Sequence, residues 1–303
     1  MRQFMALSKR NIHIYFRDFS TVFFSVLSTL IVIALMLFFL GDLNNEAILQ
    51  VVKGTPGRDA ARDNKLVSEI IFYWTVAGIL AINAASVAHA FYANMIKDRG
   101  SNKLNSIMVM PIKRSIIVSS YVFCAWFISV IMGVFAFAIT DVIAAIKGYA
   151  ILSAADHLKV IALIFVNAFV YSAILLFLAT VNKSENGWGA FGIVIGTVAG
   201  FFGGIYLAIG GLNDTIVKVI KCFPFIYATS AFRSVMLKDV EDVFFTGLPS
   251  EARSTTDLAM GTKLTLFENE LSQPAEIGIL VMVGLVFMVL CSVVLTYSKR
   301  KDR

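Results

Sequence analysis

Six stretches of the chain carry no Asp, Glu, Lys or Arg: residues 20–40, 70–96, 115–140, 160–182, 186–213 and 277–298. They run from 21 to 28 residues. A helix rising 1.5 Å per residue needs about 20 mostly apolar residues to cross about 30 Å of hydrocarbon, so each stretch predicts one spanning helix. The strands of a membrane barrel would instead alternate in polarity over about ten residues. The expected fold is an all-α membrane protein with six transmembrane helices over residues 20–303, preceded by a separate segment, 1–19.

That first segment has its own pattern. At 100° per residue, Phe4, Met5, Ile12, Tyr15, Phe16 and Phe19 fall on one arc, opposite Arg2, Gln3, Lys9, Arg10, His13 and Arg17. Leu7 and Ile14 break the division. An aromatic arc opposite a basic one predicts an amphipathic helix lying in the headgroup plane. The plainer alternative is a basic leader that only sets topology. The first apolar stretch is longer than the 7–15 residues of a signal-peptide core, so no cleavable leader is expected.

Composition sharpens the picture. The 303 residues are 58% hydrophobic and 15% charged, against about 45–50% and 25% in soluble domains. With the N-terminus inside, segments 1–19, 97–114, 183–185 and 299–303 hold fourteen bases and four acids, and the outer segments hold twelve bases and sixteen acids. Lys/Arg density in short loops sets orientation, so both termini are expected in the cytoplasm. The net charge of +6 is then a topology signal rather than a nucleic-acid footprint, which would need a basic stripe on a soluble face. Cys124 and Cys291 lie in spans and Cys222 stands near the outer side; the absence of a Cys/His cluster gives no metal-site expectation.

The connections differ in character. The outer loop 41–69 carries the turn signal Thr55-Pro56-Gly57. The outer segment 214–276 begins apolar and aromatic but is interrupted by charge, which predicts short helices at the outer surface, and 246–274 is a candidate polar cap. The inner loop 94–114 is the most informative. A charged cluster around Gly100 precedes the apolar stripe Leu104, Ile107, Met108 and Met110, which Pro111 stops. Such a helix could dock in a groove of another protein or lie on the membrane surface, and periodicity alone leaves both open.

Asp98-Arg99-Gly100-Ser101, then Leu104, Met110-Pro111 and Lys113-Arg114, resemble the acidic-x-Gly-Thr/Ser, Leu, x-Pro, basic segment of ABC-2 type permeases, the membrane subunits of one class of ABC exporter. The amphipathic N-terminal helix is similar to that family's connecting helix, and six spans match. Gly203-Gly204, Gly210-Gly211, Phe223-Pro224-Phe225 and Arg233 resemble its outer helices after span five. Asn102-Lys103 departs from the family's frequent apolar–acid pair. The resemblance implies that Lys97, Asp98, Arg99, Gly100, Ser101, Asn102, Lys103, Leu104, Ile107 and Met108 form a coupling helix on an ATP-binding subunit. It also implies two such subunits, two permeases, and a substrate path between spans two and five.

Absences point the same way. There is no GxxxxGK[ST] phosphate loop, so ATP and Mg are expected on a separate partner and no cofactor on this chain. No nucleophilic Ser pattern meets His89, the one histidine in a span. The spans hold no carboxylate of the kind ion-coupled carriers keep. Candidate path residues are Asn83, Ser86 and His89 in span two, Asn167 and Tyr171 in span four, and Thr197, Phe201 and Tyr206 in or after span five; the competing role for each is hydrogen bonding between helices. Gly192, Gly196, Gly200 and Gly204 form a small-xxx-small series suited to close helix approach. The expected function is the non-enzymatic permease of an exporter for a hydrophobic or amphipathic cargo (drug, lipid or peptide) in the bacterial cell membrane. The alternative is a non-transporting receptor, immunity or structural protein whose outer segment binds a ligand.

Overall fold

The computed structural model describes residues 2–23, 27, 30–31, 48–52, 58–101, 112–182, 184–204, 208–266 and 269–301. In chain order its helices are α1 (Arg2–Arg17), α2 (Ala60–Gly100), α3 (Arg114–Lys147), α4 (Ala154–Val181), α5 (Glu185–Phe202), α6 (Asp214–Ile220), α7 (Pro224–Met236), α8 (Lys238–Phe244), α9 (Ser250–Met260) and α10 (Gln273–Lys301). Strands β1 (Thr265–Leu266) and β2 (Asn269–Glu270) pair antiparallel, Thr265 opposite Glu270 and Leu266 opposite Asn269.

Local chemistry places the helix ends. Asp59 caps α2 by accepting from the Ala61 amide. Ser153 caps α4 by accepting from the Asp156 amide, and its hydroxyl donates back to the Asp156 carboxylate at 2.6 Å, a reciprocal arrangement that satisfies orphan groups of the first turn. Gly148, at φ 67°, closes α3 in the left-handed conformation, which costs glycine least. Pro224 opens α7 at a position where its missing N–H is no loss.

α2 is the spine. Its 41 residues give about 60 Å of helix, twice the hydrocarbon thickness. It packs against α3, α4, α5 and α7, while α10 lies on α4 and α7, and α1 lies on α3. Three apolar clusters are strung along it, the smallest joining Ala84 and Ala85 to Tyr171, Ala199 and Phe225. Of the two larger, one joins Val67–Ala81 side chains to α4 and to the α7–α8 region, including Phe232, Met236 and Phe244. The other joins Val87, Phe91, Tyr92 and Ile96 to Tyr15, Tyr121, Leu176 and Trp188.

Four of the described helices are long and apolar enough to cross a membrane: α2, residues Ser115–Lys147 of α3, α4, and Gln273–Val294 of α10. The pair α6–α7, bent by 90°, makes five if counted as one broken span. The protein is thus an all-α multi-pass membrane protein. The first expected span falls largely outside the described residues, as do Thr55-Pro56-Gly57. The fifth expected span differs from its apolar stretch. α5 stops at Phe202 after 18 residues, where Gly203 and Gly204 (φ 63°) turn the chain; freedom from charge continues past the helix because the turn itself is apolar. The 214–276 segment holds α6 to α9, with α9 and the β-hairpin in its polar part.

The amphipathic helix is also divided differently from its arc. Ser8, Asn11 and Tyr15 are buried, and Leu7 and Ile12 pack on the same core. Met5 and Phe16 are 57% and 42% exposed. The helix therefore has two apolar faces, one for α3 and one turned outward, and Leu7, which broke the simple pattern, belongs to the inward one.

Candidate functional site

The charged end of α2 meets three other elements. Arg10 of α1 donates to the Asp98 carboxylate at 2.7 Å, and the Tyr121 hydroxyl of α3 donates to the same oxygen at 3.3 Å. Arg99 reaches the far end of α4, its guanidinium donating to the Asn182 carbonyl at 2.9 Å and the Ala179 carbonyl at 3.3 Å. These are carbonyls that the end of a helix leaves without intrahelical donors, and a cation there also suits the helix dipole. Gly100 lies close to the carboxylate end of Glu185 at the start of α5. Ser101 folds back to donate to the Lys97 carbonyl. Asp98 and Arg99 thus act inside the chain, fastening α1 and the α4–α5 link to the end of α2. Lys97, Gly100 and Ser101 are exposed. Asn102, Lys103, Leu104, Ile107 and Met108, with Met110 and Pro111, lie outside the described residues.

The candidate path residues divide into two groups. Asn83 and Asn167 are buried; Asn167 donates to the Ala81 carbonyl at 2.9 Å and the Leu80 carbonyl at 3.3 Å, tying α4 to α2. Tyr171, 2% exposed, stacks on Phe225 of α7 at 4.9 Å. His89 stacks on Trp188 of α5 with centroids 4.6 Å apart and planes at 13°. His89 Nε2 lies 3.0 Å from the Trp188 carbonyl, and Trp188 Nε1 donates to the His89 carbonyl at 3.1 Å. Ser86 is half-buried on the same helix. Asn167, Tyr171 and His89 thus join helices within one protomer. Thr197 and Phe201 instead face outward beside Ile193 and Val194, on the exposed side of α5. Tyr206 lies outside the described residues. Of the glycine series, Gly192 meets the His89 ring while Gly196 faces open space.

A second constellation surrounds Trp74, in the N-terminal half of α2. Arg233 is fully buried; it donates to the Gly204 carbonyl at 2.7 Å and the Met260 carbonyl at 2.8 Å and lies over the Trp74 ring at 4.1 Å. Trp74 Nε1 donates to the same Met260 carbonyl. One guanidinium thereby unites α2, the end of α5, α7 and α9, with carbonyl dipoles and a π face in place of a carboxylate. Nearby in the cap, Glu241 and Asp257 are buried together, with Arg253 at 3.9 Å from Glu241 and Lys263 at 3.6 Å from Asp257. Burial, with the Asp257 charge, pushes the Glu241 carboxyl up to about 8. The partners of Arg233, His89 and Arg99 were not foreseen. The available signal was a lone arginine in an otherwise uncharged 13-residue helix.

A family model described as ABC-2 family transporter protein matches residues 61–297. Among curated proteins none matches the chain.

Proposed function

Because the chain belongs to the ABC-2 family of transporter proteins, we propose that this transport permease subunit is driven by ATP hydrolysed on a separate chain and exports a hydrophobic or amphipathic cargo. It holds no nucleotide or metal itself and performs no hydrolysis. Two ATP-binding subunits, carrying ATP and Mg, and a second copy of the permease complete the assembly, with both termini in the bacterial cytoplasm.

The observation that carries this reading is the fastening of the Gly100 end of α2. Arg99 binds it to the end of α4, and Asp98 binds it to α1. A partner pressing on exposed Ser101 and the residues after it would move α1, α2, α4 and α5 as one unit. The exposed side of α5, with Ile193, Val194 and Phe201, supports a place for the second copy. Almost all of the apolar part of α2 is covered by its own protomer, so α2 would reach the path through α5 rather than by lining a broad interface. The low charge of the spans supports an apolar cargo.

Co-expression with ATP-binding proteins encoded beside it, followed by co-purification, tests the reading. A retained ATPase whose activity rises with amphipathic peptides, drugs or lipids is the expected result. Ser101→Trp should weaken that association without lowering the yield of permease in the membrane. A chain that retains no ATPase overturns the proposal in favour of a non-transporting membrane protein.

A further inference from the structure

Ser230 of α7 has more acceptors around it than hydrogens. Its hydroxyl oxygen lies 2.7 Å from Glu276 Oε1, in the first turn of α10, and 3.0 Å from the Thr262 carbonyl, in the segment that joins α9 to the β-hairpin. A carbonyl only accepts, an ionised carboxylate only accepts, and a hydroxyl carries one hydrogen. With Glu276 ionised, that one hydrogen would have to serve both oxygens. With Glu276 a carboxylic acid the count closes: its O–H donates to Ser230 Oγ, and Ser230 donates onward to Thr262.

The surroundings offer an ionised Glu276 nothing more. The residue is 2% exposed, and its Oε2 has no hydrogen-bond partner. No cation pairs with it among the described residues. α7 carries Arg233, which is directed to the Gly204 and Met260 carbonyls, and Tyr227, whose hydroxyl donates to the Lys221 carbonyl. At its first turns α4 carries Asp156 and Lys159, paired with each other, and His157, paired with Asp141. Beside Thr262, Lys263 lies within ion-pair reach of Asp257 and Glu270. A buried, unpaired carboxylate is costly enough that such groups neutralise instead. The span Gln273–Val294 includes this residue, whereas the charge-free stretch 277–298 begins one residue after it. Ionisable groups inside spans are rare and mark function. We infer that Glu276 is a proton-binding site: a hydrogen held between its carboxyl and Ser230 Oγ fastens α10 to α7 and, through the Ser230 hydrogen, to the segment that closes the cap. Loss of that proton to water turns the Ser230 hydrogen to the new carboxylate and leaves the Thr262 carbonyl without its donor. Two residues earlier, the Met260 carbonyl accepts from Trp74 and Arg233, so proton release loosens the chain beside the buried arginine. The site is separate from the Ser101 surface assigned to the ATPase and stands whether or not the chain transports.

The test is infrared difference spectroscopy of the purified full chain in micelles, at neutral pH in potassium buffer. Wild type minus Glu276→Gln should show the carbonyl stretch of a protonated carboxyl, distinct from the carboxylate bands. Glu241 is present in both chains and cancels. Ser230→Ala keeps the acid and removes its acceptor, so the same band should remain but move; this comparison still reads the site if Glu276→Gln does not fold. As pH is raised, the part of the tryptophan emission change that Glu276→Gln removes should follow loss of the band, because Trp74 is bonded to the Met260 carbonyl. A carboxylate band in place of the carboxyl band overturns the proposal, and so does a carboxyl band that ignores Ser230→Ala. A band that disappears when sodium replaces potassium assigns the site to a metal cation and overturns the proton. An emission change that does not follow the band overturns the fastening to the cap. If the band behaves as expected while no ATPase is ever retained, the proton site holds and the transport reading alone fails.

Discussion

Replacing His89 and Trp188 singly and together separates two kinds of contact that join α2 to α5. The ring stack, at 4.6 Å and 13°, involves both side chains. Each of the two hydrogen bonds involves only one, because its acceptor is the other residue's backbone carbonyl. His89→Ala removes the stack and the Nε2 bond. Trp188→Ala removes the stack and the Nε1 bond. The double variant loses the stack only once, so the coupling energy of the cycle reports the stack alone. Aromatic pairs contribute about 0.5–1.5 kcal/mol beyond burial, and hydrogen bonds between membrane helices average about 0.6 kcal/mol. His89→Ala should therefore cost about 1–2 kcal/mol. Trp188→Ala should cost about 3–5 kcal/mol, since it also empties a large buried site. The coupling should fall at about 0.5–1.5 kcal/mol. Equilibrium unfolding in mixed micelles measures all three. A coupling below about 0.3 kcal/mol, the usual limit of additivity for independent sites, refutes the stacked arrangement. Lost transport in His89→Ala with unchanged stability would return the ring to the cargo path.

The other predictions concern the glycine series and the outer cap. Gly192→Leu should destabilise by about 1–3 kcal/mol through overpacking against the His89 ring, whereas Gly196→Leu, which meets open space, should not; parallel melting curves decide. Arg233→Lys should loosen the cap by about 2 kcal/mol, because an ammonium cannot reach both carbonyls and lie flat on Trp74, and limited proteolysis between α8 and α10 should speed up accordingly. The carboxyl of Glu241 titrates higher in the folded cap than in the unfolded chain. The folded state therefore holds the extra proton, and its stability is greatest below the ordinary carboxyl range and declines as pH rises towards about 8. The slope is at most about 1.4 kcal/mol per pH unit. Glu241→Gln should flatten it, and cap proteolysis measured from pH 5 to 9 would show this; an unchanged slope would point to another group.

The parts of the fold that depend on solvent were legible in the chain, and the parts that depend on partners were not. Charge-free stretches located α2, α3, α4 and α10 because hydrocarbon excludes charge whatever the backbone does. The same signal overran α5, whose end is set by Gly203-Gly204, a turn as apolar as the helix. The charged end of α2 at 97–99 stands out in the sequence, but the contacts of its side chains are not readable there. Arg99 finds its acceptor at Asn182 and Asp98 finds Arg10, 83 and 88 residues away. Asn167 and Tyr171 were visible as polar positions in a span, yet a packing contact and a path wall look alike until the neighbouring helix is in place.

α2 runs from Ala60 to Gly100 with neither a break nor a proline. Such a rod behaves as a lever with its ends about 60 Å apart. A tilt of about 5° around its midpoint swings each end by roughly 2–3 Å in opposite directions, using that length. Trp74, about 9 Å from the midpoint, moves by under about 1 Å, so its contact and that of Arg233 with Met260 form the pivot while every hydrogen bond within α2 stays intact. Events at the two faces of the membrane are then a single displacement seen from opposite ends, and stiffness of this one helix, rather than a chain of intermediate contacts, sets how faithfully one face reports on the other.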